Sequence, residues 1–330
     1  MALKPRFKVT ANGTDITGTL AELNAEITVI DAAGLESDSV QFIVDDKGGR
    51  VAFPSTGAKL AVWLGYDQPT IFMGMYTADT VKLEGWPQRV IVTGRAADQT
   101  SALKQRQTKE YIEKTLGQIF EEIAGRNSLS AKVDESIASI LVPYHAQQEE
   151  SDQQYVTRLR DEFDLSVTIK NDVMIVIPKG KGGLGPFVVA PAPFGNLVSY
   201  SCEFGERAKH DKVEATWFDR QKSQLEIVEA PVPHSEIGVS GTAAPTFRIR
   251  KPYPTKELAE HAARSKAASL GRDEASATFE INGDANVRAE MDVIAMGIRS
   301  MVDGNWVSDN VEHRWGTDAA RTTITCKPKT

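Results

Sequence analysis

Residues Gln147–Pro178 read QQEESDQQYVTRLRDEFDLSVTIKNDVMIVIP, and the hydrophobic period changes once within them, at Phe163. Ser151 is a good helix N-cap, and Gln154 three residues on completes a capping box. Tyr155, Val156, Leu159 and Phe163 then share one helical face. Beyond Phe163 the period is two. Leu165, Val167 and Ile169 alternate with polar residues, Asn171-Asp172 marks a turn, and Val173, Ile175 and Ile177 alternate again. Pro178 and the run KGKGGLGP close the unit. The segment predicts one helix feeding a β-hairpin.

Upstream, residues 1–97 read as β. Alternation occurs at Ile27/Val29, Val40/Phe42/Val44 and Leu60/Val62/Leu64, with turns at Asn12-Gly13, Lys47-Gly48-Gly49 and Pro54–Gly57. Lys104–Lys114 is polar and reads as a solvated connection. Thr115 opens a second amphipathic helix, with Leu116, Ile119, Phe120 and Ile123 on one face, Gln118 at the capping-box position and Gly125 as its terminator. The expected centre is therefore an α+β module over residues 98–184. Downstream, from about Gly185, strand signals return: Val213/Ala215/Trp217, Leu225/Ile227, Phe279–Ile281, Val293–Ile298, Trp306–Trp315 and Thr322–Cys326. Asp303-Gly304 is a turn signal among them. Thr255 caps an Ala-rich helix, Lys256–Leu270, ended by Gly271. The chain reads β-rich, α+β, then β-rich with one inserted helix at about 255–270, and no internal repeat is evident in the sequence.

The chain has 330 residues, is two-fifths hydrophobic and a quarter charged, and carries a formal charge of −7. This composition fits a globular protein of two or three domains and makes a poor nucleic-acid binder. No apolar run approaches the ~20 residues that span a bilayer, and MALKPRFKVT has no signal-peptide core. Cys202 and Cys326 are the only cysteines and read as two reduced, buried thiols. His145, His210, His234, His261 and His313 show no metal-ligand spacing. Gly180–Gly183 lacks the ending of a phosphate loop, and Asn12-Gly13-Thr14 reads as a turn rather than a glycosylation site. Glu149-Glu150 and Asp161-Glu162 read as solvent-facing carboxylate pairs. No catalytic, cofactor or metal residue is assigned. Trp63, Trp217, Trp306 and Trp315 read first as core.

Several stretches resemble the phage late control D family, the baseplate hub proteins of contractile tails. These are EITVIDAAGLESDSVQFIVDD (26–46), FPSTGAKLAVWLGY (53–66), the Glu150-Ser151-Asp152 start of the central helix with Leu159 on its core face, and DGNWVSDNVEHRWGTDAARTTITC (303–326). Asp164-Leu165 departs from the family's usual Gly-Ala, and Thr317–Ala320 from its usual turn. The resemblance implies a mainly β, α+β fold: two tail-tube-like β-barrels, residues 1–97 and 185–330, joined by the 98–184 module. It implies a structural, non-enzymatic protein without cofactor. Its expected form is a homotrimer whose six barrels make a pseudo-sixfold ring between a hexameric tail tube and a trimeric spike. The implied partners are the tube protein, a separate spike polypeptide (since the chain stops at Thr330), baseplate wedge proteins and a tape-measure protein. No specific nucleic-acid binding and no membrane insertion are implied. The implied location is the baseplate of a phage or phage-tail-like bacteriocin assembled in the bacterial cytoplasm, and acidic residues would line the conduit. The alternatives are a baseplate-carried cell-wall hydrolase and a regulator.

Overall fold

The computed structural model describes residues 4–34, 37–49, 51–52, 55–96, 103, 105–170, 173–180, 184–193, 195–204, 210–233, 245–273 and 275–329. The first part comprises β1 (Pro5–Ala11), β2 (Thr14–Asp15), α1 (Thr17–Glu22), β3 (Glu26–Ala32), β4 (Ser39–Asp45), β5 (Lys59–Tyr66), β6 (Gln68–Glu84) and β7 (Arg89–Ala96). The strands pair in the order β3-β4-β7-β6-β5-β1-β2, all antiparallel. The three alternating runs expected from sequence point into one core, because side chains two apart on a strand share a face. Asn12 and Gly13, at φ 49° and 84°, make the tight β1–β2 turn.

The central part holds β8 (Arg106–Thr115), α2 (Leu116–Arg126), β9 (Ser130–Val133), α3 (Glu135–Ala138), β10 (Leu141–Ser151), α4 (Asp152–Phe163), β11 (Leu165–Lys170) and β12 (Val173–Pro178). Both expected capping boxes form, at Thr115/Gln118 and Ser151/Gln154. Of the solvated connection expected over Lys104–Lys114, Arg106–Lys114 belong instead to strand β8, paired along its length with β10; Lys104 lies outside the described residues. The inner face of β8 hides from hydrophobic patterning. Only Tyr111 is buried there, and Lys109 and Lys114 reach across its ring at 5.7 and 5.6 Å to pair with Glu122, covering apolar surface with their stems. β9 lies parallel to β12. In β12 the fully buried residues are Met174 and Val176, not the Val173/Ile175/Ile177 row, which is half-buried; both faces are apolar, and the helices cover only one. Gly125 lies inside α2, which Asn127 caps. Asn171-Asp172 and Lys181–Gly183 lie outside the described residues.

The last part comprises β13 (Leu184–Val189), β14 (Leu197–Phe204), β15 (Lys212–Asp219), β16 (Gln224–Pro231), β17 (Phe247–Arg248), α5 (Lys256–Arg272), β18 (Ala275–Asn282), β19 (Met291–Ala295), β20 (Gly304–Trp315) and β21 (Ala320–Pro328). The insertion is more than a helix. β16-β15-β17 form their own sheet, and α5 lies on it through Ala259, Ala263 and Ala267 against Val213 and Ala215. Small side chains let the helix approach closely. α5 runs past Gly271 to Arg272 and also touches the module through Leu258.

The strand order of the two outer parts repeats. β14-β18-β21-β20-β19-β13 retraces β3-β4-β7-β6-β5-β1, pair for pair; only the last pair differs, β13 running parallel to β19. The register repeats as well. β6 bulges between Ala78 and Thr80, and β20 between Ser308 and Asn310. Gly74 and Gly304 begin the equivalent stretches at φ 150° and 147°, followed two residues on by the buried aromatics Tyr76 and Trp306. Phe42 of β4 matches Phe279 of β18, opposite Val92 and Ile324 respectively. Among the described residues the halves are curled parts of one thirteen-stranded sheet, joined where β20 pairs with β3 over Asn310–Trp315 and Ile27–Ala32. Trp315 sits at this junction in the first core, donates Nε1–H to Gly65 O at 3.2 Å, and lies beside Gly283, whose carbonyl accepts from Tyr66 OH at 2.9 Å.

Candidate functional site

The three residues that open α4 have separate jobs. Glu150 pairs with Arg158, Ser151 caps the helix, and Asp152 turns inward, where it is fully buried. Its carboxylate accepts from Arg126 Nη2 at 2.8 Å, Asn127 Nδ2 at 2.8 Å, Gln147 Nε2 at 2.9 Å and Gln107 Nε2 at 3.4 Å. Arg126 also donates to Tyr111 OH at 3.0 Å. One side chain thus ties β8, α2, β10 and α4 together. A buried charge held by this many donors fixes how the elements meet.

Beside it, His145 contacts Tyr155 OH at 2.9 Å through Nδ1 and Glu162 Oε2 at 3.1 Å through Nε2, and Tyr155 stacks on Tyr111 with centroids 5.4 Å apart. Glu162 is therefore not a solvent-facing partner of Asp161. Burial alone would raise its pKa, but hydrogen bonds and charge from His145 and Lys251 outweigh that and hold it at about 2. Burial raises the Tyr155 hydroxyl far above its usual range. The Tyr–His–Glu arrangement resembles an acid–base relay, yet His145 and Tyr155 are buried in the packed module, and Glu162 is the member that reaches a surface cavity.

The remaining sequence candidates scatter. His313 is buried between Thr322 Oγ1 at 3.1 Å and Val287 O at 3.0 Å, and burial lowers its pKa to about 3. His261 packs on Phe163, its pKa lowered by burial. His210 lies at the surface against Pro245 O, and His234 lies outside the described residues. Cys202 and Cys326 both lie opposite Ala277, on either side of it. Two ladder spacings of about 4.8 Å separate them, beyond disulfide reach. Cys202 is half-buried, and burial raises both thiol pKa values. No cluster of three His, Cys, Asp or Glu among the described residues could hold a metal.

What the surface does concentrate is apolar side chains on strands. Ile112 and Tyr144 face each other on the outer side of the β8–β10 ribbon, with Leu141 beside them, and Phe218 faces Leu225 on the outer side of β15–β16. Leu83 and Trp86 stand at the β6–β7 tip, 60% and 85% exposed, and Val198 and Tyr200 lie on the edge strand β14, each 46% exposed. Where such side chains lie side by side, as at Ile112/Tyr144 and Phe218/Leu225, they offer apolar surface of the kind that partners cover. Trp306 and Trp315 are core as expected, and Trp217 is half-buried. The exposed tryptophan is Trp86, which the sequence signals only as Gly-Trp-Pro within a turn.

This combination of a repeated β architecture, a packed module and exposed strand faces agrees with the comparison to known families, in which residues 53–320 match the phage tail baseplate hub family (GPD). The chain belongs to that family. It is 27% identical over 349 residues to the probable baseplate hub protein of Escherichia phage P2, covering 94% of this chain and 90% of the other. Its fold matches the 43 kDa tail protein of prophage MuSo2 from Shewanella oneidensis, with TM-score 0.70, 12% identity and 98% of each chain covered. It also matches the Escherichia coli c3393 protein, described as a type VI secretion component with structural similarity to the T4 tail proteins gp27 and gp5, with TM-score 0.54, 13% identity, all of this chain and 77% of the other. As a baseplate hub the protein is a component of the virion baseplate, and no helix among its described residues is long and apolar enough to cross a membrane.

Proposed function

We propose that this baseplate hub protein is a homotrimer that adapts a hexameric tail tube to a trimeric spike, and that it works by presenting surfaces rather than by catalysis. The observation that carries this reading is the repeated strand order of the outer parts. A chain holding two copies of one β unit gives six such units in a threefold ring, so one face of the ring is nearly sixfold. The central module and the β15–β17/α5 layer occur once per chain, so whatever they present is strictly threefold. On this reading residues 1–97 and 185–330 hold the tube-like units and residues 98–184 the module. The spike is a separate trimeric polypeptide, and tube, wedge and tape-measure proteins are further neighbours. Force comes from the contracting sheath, so the hub needs large, stable interfaces.

The test is the mass of the full chain in solution, alone and with the spike protein. Three copies bound to a spike trimer are expected, and a stable assembly of two or four copies sinks the reading. The competing reading, a cell-wall hydrolase, is checked by a peptidoglycan zymogram, in which no clearing is expected.

A further inference from the structure

We propose that the open edge of β14 in one copy pairs with the second half of β6 in the next, continuing the sheet from chain to chain as β20–β3 continues it within the chain. This rests on the trimeric reading above and names the surfaces it uses.

The internal junction sets the pattern. β20 uses one edge for β21. On its other edge, Gly304–Val307 pair with β19 and Asn310–Trp315 pair with β3. β6 is the equivalent of β20 and stands half-finished. One edge pairs with β7, while on the other Gln68–Thr77 pair with β5 and, among the described residues, Asp79–Glu84 meet no strand. β14 is the equivalent of β3. It pairs with β18 on one side, and beyond the single bridge Pro191–Leu197 no described strand lies on the other. The two open edges are thus the counterparts of the two that the chain joins internally.

The side chains show the same imbalance. In β3, Ile27 and Val29 are 0% and 1% exposed beneath Trp315 and His313. At the matching places in β14, Tyr200 is 46% exposed and Cys202 half-buried. His313 is fully buried, whereas its counterpart Leu83 is 60% exposed. β14 carries no Pro and no Lys, the residues that usually protect an edge from pairing. Carrying the internal register across the repeat sets Val81 opposite Phe204, Lys82 opposite Glu203, Leu83 opposite Cys202 and Glu84 opposite Ser201. The Lys82–Glu203 pair brings opposite charges together, and Leu83 and Cys202 cover each other. The exposed Trp86 lies one residue past the position that matches Trp315, where it reaches the second core of the neighbour. The contact joins two different surfaces, so it propagates head to tail and closes into a ring.

The register supplies its own probe. Directly opposite residues on antiparallel strands lie about 4.5–5.5 Å apart between Cα atoms, within disulfide range. The full-length Leu83→Cys variant should therefore link to native Cys202 of another copy on mild oxidation, giving covalent species up to three chains on a non-reducing gel. The link should vanish with Cys202→Ala and should not form from Lys82→Cys, which points to the opposite face. Leu83 is exposed, so the substitution leaves the fold intact. A trimer by mass in which peptide mapping finds no link between the cysteine introduced at position 83 and Cys202 overturns the edge assignment and leaves the trimeric reading standing. A link in an assembly of another size upholds the edge pairing and overturns the trimer. A chain that neither links nor associates even with the spike protein present overturns both.

Discussion

Replacing Asp152 by Asn exchanges one heavy atom, a carboxylate oxygen for an NH2, and should destabilise the module far more than that suggests. All four side chains aimed at the carboxylate are donors: Arg126, Asn127, Gln147 and Gln107. The amide introduced at position 152 keeps one acceptor oxygen, which can serve Arg126 and Gln147. Its NH2 then faces the NH2 groups of Asn127 and Gln107, so Asn127 Nδ2 retains only Ile123 O as acceptor. Loss of charge assistance to Arg126 costs about 1.5 kcal/mol, and leaving a buried donor poorly satisfied costs about 1–2 kcal/mol. A total near ~3 kcal/mol is expected, offset in part because a neutral amide is cheaper to bury than a carboxylate. Asp152→Ala, which leaves the Arg126 guanidinium without its counter-charge, should cost about 3–5 kcal/mol. The assay is urea denaturation, with exposed Asp161→Asn as the control, expected within ~0.5 kcal/mol of the parent. If Asp152→Asn also falls within that margin, the buried node does not organise the module and the account of α4 is wrong.

Acid should unfold the protein through His313 first. Its pKa falls from 6.5 to about 3 on folding, so the unfolded chain takes up a proton that the folded chain refuses, and stability present above pH 6.5 is lost as pH falls toward 3. Glu162, held at about 2 against an ordinary 4.5, adds a loss in the same direction below pH 4.5; His313→Gln should flatten the upper part of this limb in denaturation curves taken across pH, and an unchanged limb would reject the assignment. Asp164 caps α4 at φ 53° and pairs with Arg272, which is 5% exposed. Asp164→Gly should relieve about 1 kcal/mol of backbone strain but leave a buried cation unpaired at about 3–5 kcal/mol, so a net loss is expected in urea, and a gain would show that the pair is not structural. At the junction a Cβ on Gly283 would lie 2.5 Å from Ala320 Cβ and 2.7 Å from the Trp315 ring. Gly283→Ala should therefore cost about 1–3 kcal/mol, read as a lowered melting temperature, and unchanged melting would mean that the two halves separate freely there.

How much of this was legible in the sequence depends on how local each signal is. Both long module helices could be read because a cap and its Gln lie three residues apart and need nothing else. β8 could not, because its buried face is made of lysine stems over one tyrosine. The buried side of β12 was ambiguous because Val173, Ile175 and Ile177 form as good an apolar row as Met174 and Val176, and only the position of the helices decides between them. Asp152 looked like an acidic residue near a helix N-terminus. Its role depends on donors at positions 107, 126, 127 and 147, which no window of sequence brings together. The exposed faces at Ile112/Tyr144 and Phe218/Leu225 are invisible for the same reason: alternation says which residues share a face, not which face is covered.

The repeat was hidden for a different reason, and it bears on the proposal that such a chain serves two symmetries. What the halves share is pairing order, a bulge and backbone angles, and backbone geometry tolerates many side chains. Position 57 is Gly at φ 89°, while its counterpart Glu290 holds φ 65° and accepts from Ser166 and Thr168 of β11. One half thus uses the residue only to turn, and the other also uses it to hold the module. Likewise Trp315 fills a core at the internal junction, while the tip that matches it exposes Trp86. Both differences fall where a half touches something its twin does not: the module at Glu290, and an edge left open in the single chain beside Trp86. Equivalent backbones let both halves occupy the same kind of place in a ring, and unequal side chains let each chain place its module once. On the trimeric reading proposed above, a hub between six and three needs both, and a repeated β unit whose copies differ at their contacts supplies them within one chain.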